Sequence, residues 1–296
     1  MRVTQSYSTK SLLRQINNTR ERISTTQRDL ASGKRLNQIS DDPENIEAAL
    51  RFRMMLKHNT QFEKNINNAT EFLTFASNAL NDSADIISNV KELAIQGIDS
   101  TNNEEMDAIA KQLDELVQEL VDAGNTRFKG RYVFGGANVT SPPFTIAADL
   151  SAVTVNPEGI DGDLKTELGQ GNIDQYNITG QEAFLGNIDT FQTIIDLRDA
   201  FVNRDTTAIN NLIPNLDSAL NQTLEANTRA GAKINRFESL LSQYQDEDLK
   251  LNEFLSDIQD TNFPEAILQL QGDQTALETA LRALSRTVNV SLVDFI

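Results

Sequence analysis

The chain has no cysteine, which excludes a disulfide framework and any thiolate-bound metal. It has a single histidine, His58, and no tryptophan. A zinc site would rest almost wholly on carboxylates. A Ser-His-Asp triad would have to recruit His58, which has no suitable partner nearby in sequence. A solvated or interface histidine is the simpler reading. Aromatic residues are only 6% of the 296 positions, which points to long helices with small, aliphatic cores. Basic residues are outnumbered, 26 against 43, for a formal net charge of −17, so nucleic-acid binding is disfavoured. No apolar run approaches the ~20 residues of a membrane span. Met1–Lys10 has no apolar core of the signal-peptide kind, so a cleavable signal is not expected and export would need another route.

What is present is unevenly spread. Residues 1–64 hold 12 Lys/Arg against 7 Asp/Glu, and the remainder holds 14 against 36. Such asymmetry suits charge matching in an assembly. Ten of the 14 glycines lie from Gly124 to Gly186, and three of the six prolines are Pro142, Pro143 and Pro157. Unpunctuated flanks around a punctuated middle predict helix, β-rich insert, helix.

The flanks repeat apolar residues in alternating steps of four and three. One run passes from Phe62 through Ile66, Ala69, Leu73, Ala76, Leu80, Ser83, Ile87 and Val90 to Ala94. A second runs from Met106 to Ala123. A third runs from Leu216 to Ile258, and ten of its 13 seam positions are apolar or Tyr, the exceptions being Thr223, Asn227 and Asp248. A repeat of about 3.5 residues sustained this long predicts helices packed along their length. Asp248 marks a candidate joint between domains.

Helix boundaries are legible. Ser40-Asp41-Asp42-Pro43-Glu44 predicts a helix start, with Asp42 capping and Pro43 at the first helical position. The paired aspartates could serve acid–base chemistry, but before a proline and a helical run capping is the better account. Gly33 is placed to end the first helix, and Thr261 or Asn262 with Pro264 to restart the last. Strands are predicted at 131–134, 144–146, 153–155 and 176–179, and helical spacing returns from Ile188 to Val202. Asp161-Gly162-Asp163 lacks the further ligands of a calcium loop and reads as a turn. Gly169-Gln170-Gly171 lacks the third glycine and Lys-Ser/Thr of a phosphate cradle. No cofactor, metal or catalytic residue is assigned.

Each end carries one narrow apolar stripe: Leu12, Ile16, Ile23 and Leu30 first, and Leu270, Leu277, Leu281, Leu284 and Val288 last. A lone helix with so narrow a stripe is marginal in water. The two stripes are expected to lie antiparallel and to form an assembly interface completed by neighbouring copies. Residues 1–40 and 265–296 are then expected to order fully only on assembly. The fold class expected is mainly α with a β-rich insert: a long antiparallel helical bundle or coiled coil formed by the N- and C-terminal segments, with a small β domain in the middle. The expected domains are a terminal assembly domain (1–42 and 260–296), a helical rod (43–130 and 188–259) and an outer β-rich domain (131–187).

Leu30-Ala31-Ser32-Gly33-Lys34-Arg35-Leu36-Asn37-Gln38-Ile39-Ser40-Asp41-Asp42-Pro43 resembles the N-terminal signature of the bacterial flagellin superfamily. Within it, three features look closer to the hook–filament junction branch: the opening Met1-Arg2-Val3-Thr4-Gln5, the run Gly130-Arg131-Tyr132-Val133-Phe134-Gly135-Gly136, and the close Ser291-Leu292-Val293-Asp294-Phe295-Ile296. The resemblance implies a non-enzymatic structural adaptor between the flagellar hook and the flagellin filament. It implies self-association in a ring, with hook-associated protein 1 and flagellin as partners, and neither nucleic acid nor membrane. It further implies an extracellular place on the flagellum, export through the flagellar type III channel, and a cytosolic export chaperone on the C-terminal region. The competing readings are flagellin itself, an enzyme or adhesin carried on the insert, and a cytosolic tether.

Overall fold

The structure, a computed structural model, describes residues 2–38, 40–98 and 102–293, with side chains described at 7, 9–38, 40–98 and 102–286. The helices are α1 (Arg2–Ser32), α2 (Pro43–Ile98), α3 (Asn103–Gly124), α4 (Gly180–Phe184), α5 (Thr190–Val202), α6 (Thr206–Gln259) and α7 (Phe263–Val293). Between α3 and α4 come β1 (Arg127–Phe128), β2 (Arg131–Tyr132), β3 (Phe144–Ile146), β4 (Val153–Val155), β5 (Lys165–Gly169) and β6 (Asn172–Gln175). The chain divides into two compact units, residues 1–58 with 246–296, and residues 59–245. The division falls two residues before Asp248.

In the unit of residues 59–245, the seam from Phe62 to Ala94 is buried at every step. Its one polar member, Ser83, is fully buried and turns its hydroxyl onto the Ala79 carbonyl at 2.7 Å, so it leaves no unsatisfied group. α6 runs antiparallel to α2, because Ser77 and Asn81 meet Asn227 while Lys91 meets Asp217 further back. Asn227 accepts from Ser77 Oγ and donates to Asn81 Oδ1, both at 2.6 Å, a polar pin that fixes the register of the seam. α3 and α5 also pack antiparallel, with Arg198 on Asp114 and Arg204 on Asp107. Gly97 is required where α2 passes α5: a Cβ there would lie 2.0 Å from the buried Phe201 ring.

The insert is three separate two-stranded antiparallel hairpins, β1–β2, β3–β4 and β5–β6. Strands 144–146 and 153–155 lie where the alternation predicts. Two expectations are corrected. The strand expected over 131–134 stops at Tyr132: Val133 keeps one bond to the Thr126 carbonyl, but Val133 and Phe134 are buried in the core, with the Phe134 carbonyl accepting from Gly180 N. Residues 176–179 are not a strand. Thr179 caps α4 in a reciprocal capping box with Glu182, and Asn177 is buried, bonding Leu164 N and Gly162 O. The strand is the preceding Asn172–Gln175, paired with Lys165–Gly169 across a turn where Gly171 takes φ +73°.

Four phenylalanines knit these loops together. Phe184 stacks within 5.3–5.5 Å of Phe134, Phe144 and Phe191, and Phe144 lies 4.7 Å from Phe191. Gln222 of α6 closes the return: its Oε1 accepts from Asn187 N and Ile188 N, and its Nε2 donates to Ile188 O.

Candidate functional site: the paired terminal segments

The site lies wholly in the unit of residues 1–58 and 246–296. It begins with Gly33, whose φ of +70° stops α1 and turns the chain. Ser32 then accepts from Lys34 N, and Asn37 Nδ2 reaches back to Lys34 O and Asp29 Oδ1. The two aspartates divide the work. Asp42 caps α2, accepting from Asn45 N and Asn45 Nδ2. Asp41 caps nothing; its Oδ2 accepts from Asn37 N and Gln38 N while Arg28 closes on it at 3.3 Å. The bond from Gln38 N is the main reason Asp41 sits below the usual carboxylate range, and the Asn45 side chain is the main reason Asp42 does. Pro43 opens α2 at its first position, where no backbone donor is needed.

This elbow meets a second one between α6 and α7. Arg35 N donates to Gln259 O at 2.7 Å, and Thr261 N donates to Gly33 O at 3.0 Å. Lys34 and Asp260 form an antiparallel bridge, and the Arg35 guanidinium bonds the Ile258 carbonyl. Two turns more than 200 residues apart in sequence are thus stitched backbone to backbone.

From there α1 and α7 run antiparallel, Gly33 beside Thr261 and Arg22 beside Asp273 at 2.6 Å. Their contact is thin and half polar. Ile16 and Ala266 are buried, but so are Thr19, Thr26 and Asp273. Of the stripe residues, Ile16 is buried, Leu12, Ile23, Leu30, Leu270, Leu277 and Leu284 are half-buried, and Leu281 stays 40% exposed. The Val288 side chain lies outside the described residues. Beside the stripe, Leu13 is 44% and Leu268 70% exposed, and Leu249 and Phe254 on α6 are 70% and 51% exposed.

Sequence reasoning singled out Gly33 as the stop of α1 and Asp42 as the cap of α2, and expected an assembly interface on the two stripes. It missed Asp273, Arg22, Arg35 and Gln259, whose partners lie at the opposite end of the chain. His58 is exposed. Among the described residues no three His, Cys, Asp or Glu side chains group as metal ligands, and no helix is long and apolar enough to cross a membrane.

Residues 3–139 match the bacterial flagellin N-terminal helical region. The flagellin of Salmonella oranienberg is 25% identical over 258 residues, covering 81% of this chain and 50% of the relative. The chain is thus similar to flagellins, and the family match lies in its N-terminal helical region. It spans about half the length of that flagellin. Among solved structures, a Vibrio parahaemolyticus protein described as flagellar hook-associated aligns with a TM-score of 0.67 at 17% identity, over 74% of this chain and 100% of that one. The flagellar junction protein of Legionella pneumophila aligns at 0.60 and 14% identity, over 72% of this chain and 100% of that one. At these identities the likeness is one of fold. Gly33, Asn37, Asp41 and Asp42 all work in the elbow that follows α1.

Proposed function

We propose that this chain is a structural adaptor at the hook–filament junction, joining the flagellar hook to the flagellin filament without catalysis. The observation that carries the reading is the correspondence of fold over the full length of the solved junction protein. The paired ends supply the means. Polymers built by side-by-side subunits need heterologous contacts on two unlike faces. Half-buried stripes on α1 and α7 offer apolar area that neighbours would cover, and each fully buried Leu or Ile adds about 1.5–3 kcal/mol. On this reading residues 1–42 and 260–296 form the assembly domain, which gains its full order among neighbours in a ring. The partners are hook-associated protein 1 on one side and flagellin on the other. A cytosolic chaperone and the flagellar type III route would bring the chain to the cell exterior.

The flagellin relatives favour one second reading, that the chain is itself the filament subunit. Antibody labelling of intact flagella separates the two. A single band between hook and filament is the outcome expected, and label along the whole filament would replace the adaptor with the subunit.

A further inference from the structure

Residues 59–245 contain a cavity of about 340 Å³ that the assembly reading does not use. It opens between α2, the β1–β2 hairpin and the start of β5. In a chain of net charge −17 its rim carries three cations, Lys129, Arg131 and Lys165. Two already have exposed partners: Lys129 meets Glu71 at 2.8 Å and Lys165 meets Asp163 at 3.0 Å. Solvent-exposed pairs of this kind are worth little and exchange readily. Among the described residues no carboxylate pairs with Arg131, although its fork is the best carboxylate receptor among side chains.

The walls are aromatic. Phe72 stands edge-on to Phe128 at 6.0 Å and to Tyr176 at 5.4 Å; Lys129 lies over the Phe128 ring at 4.6 Å and Phe75 packs 5.0 Å from it, so the half-buried Tyr176 offers the freer ring surface. Asn68 and Thr166 add amide and hydroxyl groups to the same lining. A bare carboxylate needs none of these. A flat apolar ring face suits the aromatics, several hydroxyls suit the amide and hydroxyl groups, and one negative charge suits Arg131. The volume falls in the ~300–1,000 Å³ range of small-molecule sites, well beyond what one acidic side chain fills. We propose that this cavity binds an acidic saccharide, a sugar ring bearing a carboxylate, with Arg131 holding the carboxylate and Tyr176 facing the ring.

Sodium glucuronate is a suitable probe, titrated into the full chain. Calorimetry reads occupancy, and because Tyr176 is one of four tyrosines in a chain without tryptophan, a partial change in tyrosine emission is the second readout. The expected result is saturable binding, with glucose and sodium acetate each at least about tenfold weaker. Arg131→Gln, at an exposed position, should retain the native helical circular dichroism and lose about tenfold or more in affinity. Tyr176→Leu, read by calorimetry, should weaken glucuronate more than acetate. No saturable binding, an affinity for glucose or acetate equal to that for glucuronate, tighter binding of a glutamate tripeptide, or an unaffected Arg131→Gln protein would overturn the proposal.

Discussion

Single side chains here act mainly by holding turns, and the acidic pair shows how. Asp41 and Asp42 both sit below the ordinary carboxylate range in the folded chain because they accept bonds from Gln38 N and Asn45. The unfolded chain therefore takes up protons first. The stability these groups contribute is complete above about pH 4 and is lost as the pH falls through their folded values. Asp41→Asn should lower the unfolding temperature at pH 7, and the gap to the parent chain should shrink by pH 3. Thermal melts by circular dichroism at both pH values test this. An equal gap at both would show that the charge of Asp41 plays no part. The Asp-Asp-Pro run made Asp42 legible as a cap. It hid the role of Asp41, because an aspartate that staples a loop and one that caps a helix look alike in sequence.

At the level of elements, the long helices were readable because burial follows the seam. Every position from Phe62 to Ala94 that the four-three stepping selects is buried. The hairpins were less readable. Lys165–Gly169 and Asn172–Gln175 are mostly polar, and α2 and α6 secure them through polar bonds to their backbone: Asn65 to Glu167 O, Tyr244 to Leu168 O and Lys233 to Gln175 O. No hydrophobic alternation can announce a strand held that way. Residues 176–179 misled for the opposite reason, since Tyr176, Ile178 and Thr179 are strand-formers used here for packing and capping. Gln222 shows what such polar work contributes. It is 5% exposed and serves two backbone donors, so Gln222→Ala should leave Asn187 N and Ile188 N without partners and cost about 1–3 kcal/mol in denaturant unfolding. A change below a few tenths of that would mean the loop is held elsewhere.

For the whole molecule, the decisive feature is that its two ends share one compact unit. The stripes foretold this much: neither Leu12–Leu30 nor Leu270–Leu284 has enough apolar breadth to stand alone. The stitch between the elbows could not be foretold, because Arg35, Gln259 and Thr261 bond through their backbones, which carry no sequence signal. The pairing leaves Leu13, Leu268 and Leu281 exposed, area that neighbours would cover in the proposed assembly. The absence of cysteine makes a clean test possible. Lys34 and Asp260 are antiparallel bridge partners, whose Cα atoms lie within the ~4.4–6.8 Å that a disulfide spans. The chain carrying Lys34→Cys and Asp260→Cys should, on mild oxidation at low concentration, form an intramolecular crosslink in nearly every molecule, seen as faster migration on a non-reducing gel. Free thiols under the same oxidation, or crosslinks formed only between molecules, would contradict the pairing of the two ends.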